Sequence, residues 1–180
     1  HPEKFHERIE SVDPVTHTLI GVGMANAFFR RRIGPSSVVI LAVASNLPDI
    51  DAIVHLTGDS TAVLMRRTLG HSLFLIPLWG FLLSLVFRWF YPRIRWRSLY
   101  GMVMLGALVH IFFDLVNSFG VVLLWPFGTW RPELSILFII DLILTGILLF
   151  PLLVSIPKRM RPYLGSLSRV SVALVVLYVL

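Results

Sequence analysis

Apolar residues in this chain come in long runs, without the strict alternation of a half-buried strand. Six runs stand out, at about 15–29, 36–56, 69–89, 99–119, 134–156 and 167–180. The stretch 69–87 carries no charged group apart from the His71 imidazole, and the same holds for 99–113 with His110. About 20 apolar residues at 1.5 Å of helical rise cross the ~30 Å hydrocarbon core of a bilayer. The pattern therefore predicts an all-α polytopic membrane bundle of about five to six membrane helices. The first run is short for a full span, as expected of a tilted helix or one lengthened by snorkelling arginines. The sixth is still apolar where the sequence stops, and reads as a helix cut within its length. Residues 1–12 are polar and read as an N-terminal extension, leaving 13–180 as one membrane-embedded domain without internal repeats or a low-complexity linker.

Composition sharpens this picture. Of the 180 residues 56% are hydrophobic and 14% charged, against about 25% charged in ordinary soluble domains. Cysteine is absent, which excludes a disulfide scaffold, a thiolate zinc module and a thiol nucleophile. The formal charge of +6 could suggest nucleic acid, but the basic residues cluster at the ends of apolar runs, so no nucleic-acid partner is expected. Arg30, Arg31 and Arg32 follow the first run, Arg93, Arg95 and Arg97 the third, and Lys158, Arg159 and Arg161 the fifth. If all six runs span, these clusters share one face, which the positive-inside rule assigns to the cytoplasm. Arg66, Arg67 and Arg131 oppose that count, and the first two adjoin the polar residues considered next. Trp125, Trp130 and Tyr91 fall at expected interfaces, where an aromatic belt accounts for them.

An ionisable group inside a membrane helix costs about 2.5–3.5 kcal/mol at the centre and points to function by default. His17 lies in the first run, Asp49 and Asp51 in the second, His71 early in the third, and His110 with Asp114 late in the fourth. On an alternating topology all six occupy the outer, extracytoplasmic half of the membrane. His110 and Asp114 are spaced i, i+4, which puts them on one helix face. With His71 and one of Asp49 or Asp51 they make a His2Asp2 set suited to Zn²⁺, with Mn²⁺ or Fe²⁺ as alternatives. His17 and the remaining aspartate could hold a second ion, with Asp114 bridging. Paired ions about 3.5–4 Å apart activate water and stabilise the oxygens of an in-line displacement at phosphorus. Arg67 is placed to steady a phosphate through its planar fork. Ser72 and Asn117 are candidates to orient the ligating groups, as is Asp141 in the fifth run. Asn46-Leu47-Pro48-Asp49 also reads as a simple helix break. Gly21-Val22-Gly23 and Gly101/Gly106 read as helix-packing positions.

Four motifs in order, Asp13-Pro14-Val15-Thr16-His17, Leu47-Pro48-Asp49-Ile50-Asp51, Arg67-x-x-x-His71-Ser72 and His110-x-x-x-Asp114-x-x-Asn117, resemble the YdjM-type family of bacterial inner-membrane proteins, described as LexA-regulated, membrane-bound, metal-dependent hydrolases. The resemblance covers about 13–150. The order His, Asp, His, His-x-x-x-Asp is also similar to the all-helical, zinc-dependent phospholipase C and P1-type nuclease superfamily. That likeness implies one zinc site from Asp51 or Asp49 with His71, His110 and Asp114, and part of another from His17 and a bridging Asp114. No histidine follows His110, so the further zinc site of those soluble enzymes has no counterpart, and one or two ions are implied.

The expectation is thus a multi-pass protein of the bacterial inner membrane, with its site toward the extracytoplasmic side. It would hydrolyse a phosphoester of a lipid or lipid-linked substrate with a metal-activated water. Asp49, Asp51 and Arg67 would carry the chemistry beside the ligands His17, Asp49, Asp51, His71, His110 and Asp114. Two other classes use the same residues: a metal-ion or proton transporter, and a non-catalytic membrane protein stabilised by metal. No residue pattern sets an oligomeric state.

Overall fold

A computed structural model of the chain describes residues 14–50, 67–117, 120–136 and 141–180. Asp51 and Arg66, both singled out above, lie outside them. The described residues are helical and contain no strand. Helix α1 (Pro14–Met24) passes through a π-helical turn (Ala25–Phe29) into the short α2 (Arg30–Ile33). There follow α3 (Ser36–Ala44), α4 (Ile76–Phe90), α5 (Trp96–Val116), α6 (Leu142–Val154) and α7 (Leu164–Val179), the last entered through a 3-10 turn at Arg161–Tyr163.

Helix α3 lies between α1 and α5, α4 packs on the far side of α5, and α7 lies against α6, α1 and the π turn. Ile40, Leu41, Ala44, Leu99, Met102 and Val103 are fully enclosed at the centre. Two glycines allow the α1–α3–α5 contact. A Cβ at Gly21 would collide with the Leu41 carbonyl and the Ser45 hydroxyl, and one at Gly106 would stand 2.8 Å from the Ala44 Cβ. The outer faces carry exposed Leu78, Phe81, Leu85 and Trp89 on α4 and Val170, Leu174 and Leu177 on α7. An exposed apolar surface of this breadth suits lipid contact rather than water.

The helices are shorter than the apolar runs. Two of them, Trp96–Val116 (21 residues) and Arg161–Val179 (19 residues), are long and apolar enough to cross a membrane. The expected five to six spans are therefore corrected to two by that measure, and local chemistry accounts for the difference. The second run stops at Ala44 because Pro48 disfavours helix in the residue before it, and residues 48–50 turn in 3-10 form. The third becomes helical only at Ile76, with Pro77 in the first turn. A helix reaching back to Leu69 would place that ring in its interior, against the carbonyl four residues earlier. In the fifth, Asp141 caps the start of α6 by accepting from the amides of Ile143 and Leu144, each at 2.9 Å.

The non-helical pieces brace each other. The Leu73 amide donates to the Leu123 carbonyl (3.0 Å), the Val122 amide to the Arg67 carbonyl (3.0 Å) and the Leu134 amide to the Leu115 carbonyl (2.8 Å). The Ser72 hydroxyl donates to the Trp125 carbonyl. Gly120 turns the chain at φ +62°, where a Cβ would press the Pro132 carbonyl at 3.0 Å. Val121 and Leu123 then pack under Ile76, Ala107 and Ile111. Irregular backbone is tolerated at membrane depth only when buried in protein with its polar groups bonded; residues 120–123 are buried, while most of 124–136 is exposed.

Candidate metal centre

Four separate parts of the chain meet at the end of α5. His17 comes from the first turn of α1, Asp49 from the turn after Pro48, and His71 from the turns before α4; His110 and Asp114 come from successive turns of α5. His71 and His110 are fully buried, and His17 and Asp114 nearly so.

Asp114 is the hub. Its Oδ2 lies 3.1 Å from His71 Nε2, 3.5 Å from His110 Nε2 and 3.7 Å from Arg67 Nε. Its Oδ1 faces His17 Nε2 at 3.2 Å. The two ring nitrogens His71 Nε2 and His110 Nε2 stand 3.3 Å apart, and Asp49 Oδ1 is 3.7 Å from His110 Nε2. His17 stacks on His110 with ring centroids 3.8 Å apart. One ligand atom each from Asp49, His71, His110 and Asp114 falls within 4.8 Å of all the others.

This donor set fits a divalent cation on two grounds. The first is a tautomer argument. His110 Nδ1 lies 2.7 Å from the Ser45 carbonyl, which can only accept, so Nδ1 carries the proton and a neutral His110 turns the Nε2 lone pair inward. There it meets another imidazole nitrogen and two carboxylates, all electron-rich, while Asp49 Oδ2 is buried without a hydrogen-bond partner among the described residues. The second is size. Ligands about 2.0–2.1 Å from a tetrahedral zinc are separated by roughly 3.3 Å along each edge; four of the six edges here run from 3.1 to 3.7 Å, and the two from Asp49 to His71 and Asp114 lie within 4.8 Å. A carbonyl that fixes the non-ligating nitrogen of a histidine is the usual second partner of a metal-bound imidazole.

Arg67 reaches the site from a strained position. It is buried, with φ +57°, a left-handed conformation uncommon for a residue other than glycine and frequent at functional sites. The guanidinium offsets part of the negative charge of Asp114. A groove of about 490 Å³, lined by residues including Thr18, Asn46, Leu47, Asp49 and Ile50, adjoins the cluster. The Asp49 side chain, 15% exposed, is the ligand that lines it. Asn46 holds the rim by donating to Thr18 Oγ1 at 2.9 Å and to the Ala42 carbonyl at 2.8 Å.

Three residues expected to orient the ligands have these contacts. Asp141 spends one oxygen capping α6 and the other accepting from the Tyr178 hydroxyl at 2.9 Å, which makes it a tie between α6 and α7. Ser72 fastens the 120–136 loop. Asn117 ends α5, its amide donating to the Phe113 carbonyl at 3.1 Å. The groups that do orient His110 are the Ser45 carbonyl and the glycines that let α3 approach. A backbone acceptor leaves no mark in residue type; the small residues Gly21, Ala44 and Gly106 were the available signal.

Comparison with known proteins agrees with the membrane reading. Over 124 residues, 65% of its length, the chain is 24% identical to "Uncharacterized protein YfhP" of Bacillus subtilis (strain 168), and this match spans 38% of that relative's length. No solved structure matches the chain. The model of the family described as "YdjM inner membrane protein" matches residues 12–180, nearly the whole sequence, and the chain belongs to that family.

Proposed function

We propose that this protein is a membrane-embedded, metal-dependent hydrolase that cleaves a phosphoester of a lipid or lipid-linked substrate. The observation that carries the reading is the inward convergence of His71 Nε2, His110 Nε2 and Asp114 Oδ2 at 3.1–3.5 Å from one another, with an Asp49 oxygen within 4.8 Å of all three, beside a groove that Asp49 lines. Zn²⁺ suits this nitrogen and oxygen set, with Mn²⁺ and Fe²⁺ as alternatives. When bound, such an ion lowers the pKa of a coordinated water and polarises a phosphoryl oxygen.

The chain's own groups then divide the work. His71, His110 and Asp114 are buried and hold position; Asp49, at the groove, is placed to orient the attacking water. Arg67 supplies a fixed positive charge for a phosphate oxygen, a role that favours the planar guanidinium over an ammonium. The two oxygens of Asp114 face opposite sets, with His17 on one side, which supports a second ion shared between His17 and Asp114. Asp51 belongs to this reading from its sequence position. With all six apolar runs crossing, the positive-inside rule puts the site in the extracytoplasmic half of a multi-pass protein, and the order of ligands supports a distant kinship with the zinc-dependent phospholipase C and P1-type nucleases.

The test is elemental analysis of the protein purified in mild detergent, alongside turnover on phosphodiester, phosphomonoester and carboxyl-ester substrates. About one or two ions per chain and metal-dependent phosphoester cleavage are expected. Stoichiometric metal with no turnover on any substrate would assign the ion a structural role, and fewer than about 0.1 ion per chain would remove the centre altogether.

A further inference from the structure

At the opposite end of α1 from His17 lies a second cavity of about 600 Å³, open on one side and walled by the π turn, the end of α6 and the start of α7. Four arginines line it, Arg30, Arg31, Arg161 and Arg169, and no carboxylate does so among the described residues. Arg30 and Arg31 stand more than a hundred residues from Arg161 and Arg169 in sequence, so folding has gathered like charges around one concavity, where they favour an anion.

The cavity is built rather than incidental. Asn26, buried in the π turn, accepts from Arg30 at 2.8 Å through its side-chain oxygen, and Arg169 donates to the Gly165 carbonyl (3.3 Å) and to Ser166 Oγ (3.1 Å). Both guanidiniums are therefore held by neutral acceptors, with donors and full charge left over. A Cβ at Gly165 would stand 3.2 Å from the Asn26 carbonyl, so the absent side chain lets α7 close one wall. Ser155, also lining the cavity, is only 7% exposed, and its hydroxyl has no hydrogen-bond partner among the described residues. A buried donor without an acceptor is costly, and here it faces the same space as the guanidiniums. π turns inside helices recur at functional sites.

We infer that this cavity binds a phosphate group carrying net negative charge, with Arg30, Arg31, Arg161 and Arg169 around its oxygens and Ser155 donating to one of them. Arg30, Arg31 and Arg161 belong to clusters that flank apolar runs, and Arg169 stands near the start of the sixth run, which sets the cavity at headgroup level. An anionic phospholipid headgroup and free phosphate share this chemistry. Basic pockets between membrane helices bind anionic headgroups. Phosphatidylcholine is disfavoured because its quaternary ammonium would enter among guanidiniums. The proposal is independent of the metal centre.

The experiment titrates the full chain in nonionic detergent with dioctanoyl phosphatidylglycerol, dioctanoyl phosphatidylcholine and inorganic phosphate, by calorimetry. Phosphatidylglycerol is expected to bind at least about tenfold tighter than phosphatidylcholine. Arg30→Gln with Arg161→Gln should weaken it by about tenfold or more, and Ser155→Ala by a few-fold, with metal content unchanged in both. Competition by inorganic phosphate would support the site as one for a free anion as well; its failure to compete would assign the site to lipid. Equal binding of the two lipids without any phosphate binding would overturn the proposal. So would unchanged affinity in Ser155→Ala and Arg169→Gln, two milder substitutions that remain informative if the double variant does not fold.

Discussion

Gly106→Ala is a one-carbon change on the face of α5 that meets α3, and it should act on the metal centre without touching a ligand. The added Cβ would sit 2.8 Å from the Ala44 Cβ, 3.0 Å from the Ala44 carbonyl carbon and 3.0 Å from the Ser45 nitrogen. Carbon contacts are comfortable at about 3.5–4.0 Å, so α3 must retreat by roughly 1 Å. Two of the three crowded atoms are backbone, which cannot swing aside. The Ser45 carbonyl that holds His110 Nδ1 at 2.7 Å moves with them, whereas metal–ligand distances tolerate only about ±0.2 Å. Losing such a partner typically costs about 10–100-fold in metal affinity, and overpacking costs about 1–3 kcal/mol of stability. Gly101→Ala is the internal control: it lies on the same helix, a Cβ there meets nothing within 4 Å, and removing a mid-helix glycine should be neutral or gain up to about 1 kcal/mol. Competition with a chromophoric zinc chelator in detergent, beside a thermal unfolding curve for each variant, measures both effects. Zinc affinity of Gly106→Ala within about threefold of the parent, below the range expected for loss of an orienting partner, would refute the link from helix spacing to histidine orientation.

Other outcomes follow from the same geometry. His110→Ala and Asp114→Asn should each abolish stoichiometric metal by elemental analysis, since each removes a donor from the four-atom set. His17→Ala should leave one tightly held ion, because His17 Nε2 faces Asp114 Oδ1 and not the oxygen shared with His71 and His110; metal content then reports whether a second ion was present. Arg67→Lys should retain metal yet lower phosphoester turnover by about tenfold or more if the guanidinium grips substrate as a two-pronged donor; unchanged turnover would confine Arg67 to balancing Asp114. Asp141→Ala should lower thermal stability by about 1–2 kcal/mol through loss of the α6 cap while metal content stays at the parent level.

Much of the molecule was legible in residue order because both signals involved are local. Runs of apolar residues mark helices that must bury or face lipid along their whole length, and the exposed leucines and phenylalanines of α4 and α7 show that face directly. Ionisable groups inside such runs are expensive, so His17, Asp49, His71, His110 and Asp114 stood out by cost alone, and the i, i+4 spacing of the last pair follows from helix pitch. Helix length was misjudged where apolar character and backbone geometry part company. Pro48 and Pro77 break the ladder within runs that hydropathy treats as continuous, and Asp141 stops α6 short.

Only the tertiary structure decided which donors share a point and what holds them. The edges of 3.1 to 3.7 Å among groups from four parts of the chain depend on the α1–α3–α5 spacing. That spacing is set by missing Cβ atoms at Gly21 and Gly106 and by one main-chain carbonyl, features with no chemical signature of their own. The basic cavity is a similar case. Arg30 and Arg161 each mark the end of an apolar run, and their convergence with Arg169 around Ser155 arises only when α7 closes on the π turn. Pattern along a chain records what each segment needs as its surroundings; which segments supply those surroundings is settled by packing, because contact depends on distances in three dimensions that residue order does not contain.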